Sequence, residues 1–184
     1  MARTQLLDAH RAPITVQQFF SSGDPGPIVA ALATVPELLG PTLGFVGAAL
    51  GPGAASSRAK ELAILRTSAL QGCRYCVHTH TVVALDLGLS ADEVLALRGD
   101  VAVEDVFASA AERTLIGWID AVAGATGPVS DEAWESARQH WPDHLLVELT
   151  VTIGATMFLN RLATSLDLPT STDVDARIAA AGLA

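Results

Sequence analysis

Between Pro25 and Ser57 the chain carries one charged residue, Glu37, and so apolar a stretch is stable in water only when buried. It is long enough to suggest a membrane span, but Pro27, Pro36, Pro41 and Pro52 and six glycines interrupt it. Proline removes a helical hydrogen bond and clashes with the preceding turn. No unbroken run reaches the roughly 20 apolar residues that a span needs. The stretch therefore predicts two or three short buried helices and no membrane crossing.

The chain beyond it reads as helix. Ser56 or Ser57 caps a segment running to about Gln71, in which Leu62, Leu65, Ala69 and Leu70 recur at helical spacing. Gly72 interrupts it, and a second helix runs from about Cys73 to Leu87, stopped by Gly88. Ser90-Ala91-Asp92-Glu93 is a capping box opening a third helix that ends at Gly99. The spacing of Phe107, Ala111, Leu115, Trp118 and Val122 predicts one helix from Glu104 to Ala125. Ser130 opens another toward His140. Trp141-Pro142-Asp143 then restarts the chain into an apolar segment reaching Leu166, read as the central buried helix. Thr150, Val151 and Thr152 would tolerate a strand, but the segment's length favours helix. Glu61-Leu62 is echoed by Glu148-Leu149, a slender hint of an internal repeat. Residues 1–24, closed by the Ser21-Ser22-Gly23-Asp24-Pro25 turn, form an N-terminal arm with room for one short helix, and 25–184 form a single domain.

Composition narrows the function. Half of the 184 residues are hydrophobic, 17% are charged and 5% are aromatic, so Ala, Leu and Val fill the core and little polar surface is left to cover it. A homo-oligomer is expected. A net charge of −9 with eleven Lys and Arg argues against nucleic acid and against an anionic membrane surface. Arg3, Asp8, His10 and Arg11 precede any apolar run, so no export signal is expected and the reading is cytoplasmic. In that reducing compartment two cysteines spaced by two residues point to redox chemistry or metal rather than a structural disulfide.

Cys73, Cys76 and His80 are spaced by three and four residues, so on a helix they share one face, whereas His78 and Arg74 do not. A thiolate is the reactive form of cysteine, and a Cys-X-X-Cys at a helix N-terminus has its pKa lowered from about 8.5 toward 7 or below. His80, one turn past Cys76, is placed to take its proton. Glu61 matters because an imidazole needs a carboxylate on one ring nitrogen to fix its tautomer. If the chain folds back at Gly72 to bring Glu61 against this face, a thiolate can attack a peroxide O–O bond and the second cysteine can close a disulfide, which an external dithiol then reduces. The same four side chains could instead bind zinc, and two cysteines alone could be buried hydrophobes.

The segments Arg58-Ala59-Lys60-Glu61-Leu62-Ala63-Ile64-Leu65-Arg66 and Gln71-Gly72-Cys73-Arg74-Tyr75-Cys76-Val77-His78-Thr79-His80 resemble the alkylhydroperoxidase AhpD-like branch of the carboxymuconolactone decarboxylase superfamily. The later stretch from about Glu112 through His144-Leu145-Leu146-Val147-Glu148-Leu149 to Asn160-Arg161-Leu162 resembles its C-terminal part. The resemblance implies an all-α, AhpD-like orthogonal helical bundle, assembled as a homo-trimer or homo-hexamer, that reduces hydroperoxides. It implies Cys76 as the attacking cysteine, Cys73 as the resolving one, and His80 with Glu61 as proton relay. No metal or organic cofactor is implied; electrons come from a dithiol donor such as a lipoyl or thioredoxin-like protein. Tyr75 stands where the characterised branch has a histidine, and the decarboxylase branch lacks the cysteine pair. Two other readings are a decarboxylase-like or isomerase acid/base enzyme using Glu61 and His80, and a non-catalytic, redox-responsive oligomer.

Of the remaining polar and aromatic residues, Tyr75 is expected to pack and His78 to be solvated or at an interface. Glu148 is expected to find a buried partner such as Arg66 or Arg161. Trp118, Trp134 and Trp141 are expected to anchor the core or an interface, and His140 and His144 to be exposed.

Overall fold

A computed structural model describes residues 2–184, and among them every regular element is helical. A 3-10 helix, Ile14–Phe20, lies in the N-terminal arm. It is followed by α1 (Pro27–Leu32), α2 (Pro36–Leu50), α3 (Ser57–Leu70), α4 (Arg74–Asp86), α5 (Ala91–Arg98), α6 (Val103–Val106), α7 (Ala110–Gly124), α8 (Asp131–Arg138), α9 (Asp143–Leu166) and α10 (Thr172–Ala180).

Local sequence starts most of these helices. Proline opens α1 and α2, where its missing N–H costs nothing. Serine caps α3, α5, α7, α8 and α10, each side chain accepting a first-turn backbone N–H. At α5 the reciprocal Ser90–Glu93 capping box is complete.

Burial corrects which helix is central. The apolar α9 exposes Val147, Val151, Gly154 and Phe158 along one stripe, whereas α3 is buried continuously from Ala59 to Leu65. Helices α4, α5, α7 and α9 pack around it. Leu62 and Leu65 of α3 meet Leu97, Leu115, Ile119, Leu149 and Ile153 in the main core. Trp118 and Trp134 stack edge to face there, with ring centres 5.7 Å apart. By length and composition α9 could cross a membrane, but its inner face is occupied by this core.

Three expectations change. The stretch after Pro25 makes two helices, yet α2 buries only Leu39 and Ala49 and exposes Leu38 and Phe45. The single helix expected from Glu104 to Ala125 is broken: Phe107 turns into the core, and Ser109 caps a fresh start by accepting from Glu112 N at 3.3 Å. Arg113 donates back to the Phe107 carbonyl at 2.6 Å and to that of Ala108 at 2.8 Å, holding the break. Helix α10 was not anticipated, although Ser171-Thr172-Asp173 carries a start signal of the same kind.

Glu148 has a different partner from the arginines expected. Its carboxylate meets Lys60 Nζ at 2.8 Å and accepts from the Ala54 and Ala55 amides at 3.0 Å each. Lys60 also donates to the Ala49 and Gly51 carbonyls, so a buried cation ties the loop after α2 to α3 and α9. Arg66 instead pairs with Asp120 at 2.6 Å, and Arg161 donates to Gln71 Oε1.

Candidate active site

Two helices joined by one sharp turn bring the four residues singled out in the sequence to one place. α3 ends with Gly72 at a φ of 62°, the left-handed region that glycine enters without steric cost. There Gly72 N donates to Ala69 O, and Cys73 N to Ser68 O, at 3.0 Å each. The reversal delivers Cys73 as the N-cap of α4, outside the helix proper rather than as its first residue. Its sulfur accepts the Cys76 backbone N–H at 3.4 Å.

Both cysteines are free and buried. The hydrogen bond from the Cys76 thiol, reinforced by the backbone N–H of Cys76, lowers the Cys73 thiol to about 7 despite its burial. The Cys76 thiol is pushed upward, first by that same bond and then by burial. The pair therefore gives up its first proton easily and holds the second.

The turn at Gly72 also lays α4 back along α3, so that His80 Nδ1 lies 2.9 Å from Glu61 Oε1. Glu61 is buried and His80 half-buried. A carboxylate bonded at Nδ1 holds the proton on that nitrogen and leaves Nε2 as a base. His80 charge also favours the Cys73 thiolate. Among the described residues no group of three or more His, Cys, Asp or Glu side chains gathers closely enough to hold a metal.

Cys73, but not Cys76, lines a cavity of about 480 Å³ together with Arg74, Tyr75, Thr164, Leu168 and Asp175, among others. Both cysteines pack in a cluster of apolar residues that includes Ala31 and Leu168 and, from the N-terminal arm, Ala2 and Leu6. Tyr75 packs against this cluster, and burial raises its phenol pKa. His78 lies off the cysteine face and pairs with Asp175 Oδ1 at 2.9 Å. That contact, with Thr170 donating to the same carboxylate, latches α10 onto α4.

Two residues of the site escaped the sequence reading. Ser68 and Asn160 are both fully buried beside the sulfurs, and Asn160 Nδ2 donates to Ser68 Oγ at 3.1 Å. Ser68 falls seven residues after Glu61, on the same helical face, which was the available signal. Asn160, a lone amide in an apolar helix, was the other.

A buried dithiol at a helix start, backed by a histidine–carboxylate pair within an all-helical bundle, defines a thiol-based site. Residues 36–121 match the sequence model of the carboxymuconolactone decarboxylase family, the family that the motif resembles. No curated protein matches it. Among solved structures, a protein of unknown function from Agrobacterium tumefaciens, considered a candidate AhpD antioxidant-defence protein, is 29% identical. That match covers 77% of this chain and 95% of the other, with a TM-score of 0.68. An uncharacterised peroxidase-related protein from Silicibacter sp. TM1040 is 17% identical, with 94% and 93% covered and a TM-score of 0.82. The debrominase Bmp8, as a cysteine-to-alanine variant in complex with 2,3,4-tribromopyrrole, is 16% identical, with 98% and 100% covered and a TM-score of 0.79. The fold is AhpD-like.

Proposed function

We propose that the chain is a thiol-dependent peroxidase, a dithiol–disulfide oxidoreductase that reduces hydroperoxides through Cys73 and Cys76. The observation that carries this reading is the placement of Cys73 as N-cap, its sulfur facing the Cys76 amide, with the His80–Glu61 pair one turn further along.

In the active form one proton of the pair has passed to His80 Nε2 and the two sulfurs share the other. Passing that proton to Cys73 frees the Cys76 thiolate, which attacks a peroxide oxygen and breaks the O–O bond. The departing alkoxide takes a proton from protonated His80 and leaves as the alcohol, while Cys76 becomes a sulfenic acid. The Cys73 sulfur then displaces its hydroxyl, water departs with the Cys73 proton, and the disulfide forms. An external dithiol, lipoyl or thioredoxin-like, returns two electrons and two protons by exchange. No metal or organic cofactor enters this scheme, and a reducing compartment such as the cytoplasm suits it. The exposed Leu38, Phe45, Val147, Val151 and Phe158 on α2 and α9 support a homo-oligomer, for which the resemblance suggests a trimer or hexamer.

The test is peroxide consumption with dihydrolipoamide or thioredoxin as donor, comparing the unaltered chain with Cys73→Ser and Cys76→Ser. Turnover with one intramolecular disulfide per chain, lost in Cys76→Ser, is expected; thiols indifferent to peroxide would end the reading. The hydrogen-bonded Glu61–His80 pair also favours, second, an acid/base enzyme of the decarboxylase or isomerase type. Activity that survives replacing both cysteines with serine would favour it.

A further inference from the structure

Asn160 is fully buried in α9. One turn further along the same face, Ala163 packs in the cluster that holds both cysteines. Asn160 Nδ2 donates to Ser68 Oγ at 3.1 Å, and the backbone carbonyl of Ser68 takes the Cys73 N–H at 3.0 Å. Its Oδ1, buried from solvent, has no hydrogen-bond partner. A buried polar atom left unpaired costs about 1–3 kcal/mol, and leucine would fill the same volume in an apolar helix without that cost. The exception sits against the reactive pair.

We propose that Asn160, acting with Ser68, is a positioning residue of the dithiol site: its amide N–H favours the thiolate form of the pair, and its unpaired Oδ1 accepts the O–H of the cysteine sulfenic acid formed during turnover. The second half rests on the peroxidase reading; the first does not. Asn160 bears on both sulfurs, drawing each toward thiolate, and Ser68 does the same for Cys76. A neutral amide does this without adding charge to an already crowded site. Its N–H dipole acts where water is excluded and screening is weak. Accepting the sulfenic O–H would hold that oxygen in a fixed direction while the Cys73 sulfur attacks from the opposite side.

The experiment measures the rate of thiol alkylation by iodoacetamide against pH in the reduced full chain and in Asn160→Leu, Asn160→Asp and Asn160→Ser. Alkylation reports the thiolate fraction and involves no peroxide. Asn160→Leu is expected to raise the midpoint by about one pH unit, a tenfold loss of rate below it. Asn160→Asp should raise it further, because a carboxylate opposes the thiolate. Asn160→Ser, which keeps a donor, should lie between the unaltered chain and the leucine variant. Thermal unfolding of Asn160→Leu should change little, since the unpaired oxygen is gone while Ser68 Oγ loses its donor. An unchanged midpoint in all three variants would overturn the proposal, as would a shift equal in all three, which only loosened packing would give. In a Cys73→Ser background, dimedone trapping should show a sulfenic acid several-fold shorter-lived in Asn160→Leu; an equal lifetime would remove the acceptor role. If the unaltered chain consumes no peroxide while the graded midpoint shift holds, the peroxidase reading fails and the thiolate role of Asn160 stands.

Discussion

His80 Nδ1 and Glu61 Oε1 lie 2.9 Å apart and join α3 to α4 across the Gly72 turn. Among the described residues buried Glu61 pairs with this imidazole alone, since Lys60 turns away to Glu148. In the proposed reaction the pair works as one proton-handling unit, and Glu61→Gln should separate its two contributions. A glutamine keeps the volume and can still accept from Nδ1, but it cannot stabilise the imidazolium that forms when Nε2 takes a proton. Peroxide turnover should fall by about 10–100-fold, with the circular dichroism spectrum unchanged. A rate within twofold of the unaltered chain would place Glu61 outside the relay.

Thiolate titration carries a sign that can be checked. The Cys73 thiol is lowered to about 7 and the Cys76 thiol is raised. Absorbance at 240 nm of the reduced chain should thus show one thiolate appearing near pH 7 and the second only in strong alkali. An acid whose pKa is depressed on folding adds stability that is complete above its unfolded value, about 8.5, and is lost as pH falls through about 7. Cys76 opposes this at high pH, because its folded form resists ionising where the unfolded thiol does not. The reduced chain should therefore gain stability between about pH 7 and 8.5 relative to a chain with both cysteines replaced by serine. A difference that stays flat across that window would contradict the assignment.

Much of this was legible in the sequence, and what was not has identifiable physical causes. Capping serines and the Gly72 and Gly88 stops are local signals, and the helices they bound fall within a residue or two of their expected ends. The i, i+3 and i+4 spacing of Cys73, Cys76 and His80 is likewise local. Burial order was not legible, because hydropathy ranks α9 above α3. The charged Lys60 and Glu61 that lower the apparent hydrophobicity of α3 are neutralised by Glu148 and His80, partners distant in sequence. The break at Phe107 escaped for a related reason: Arg113 satisfies carbonyls that a continuous helix would have used.

Lys60 and Glu148 offer a test of packing away from the sulfurs. The Lys60 side chain is 4% exposed and that of Glu148 22%, and the carboxylate also holds the Ala54 and Ala55 amides. Removing one partner of a buried pair leaves the other uncompensated, although the partial exposure of Glu148 softens the loss. Lys60→Ala should cost about 2–3 kcal/mol in urea unfolding. Gly53→Ala should act on the same pair, because a Cβ there would meet Glu148 Oε1 at 1.9 Å and force the carboxylate aside. The double variant should lose less than the sum of the two single losses. Strict additivity would mean that Gly53 acts through the loop backbone alone.

The N-terminal arm bears on access to the sulfurs. Arg3 N donates to Leu166 O at 2.8 Å and Leu7 N to Ala30 O at 3.1 Å. These two anchors stretch the arm across the site and bring Leu6 into the cluster with Cys73 and Cys76. In the proposed reaction a dithiol carried by another protein has to pass this layer, whereas a small hydroperoxide enters by the 480 Å³ cavity that Cys73 lines. Leu6→Ala removes part of the cover while leaving both backbone anchors in place. It should speed reduction of the oxidised chain by a protein dithiol several-fold more than reduction by dithiothreitol, and should lower stability by about 1–2 kcal/mol for a half-buried leucine. Equal acceleration by both reductants would mean that the arm packs over the pair without controlling which donors reach it.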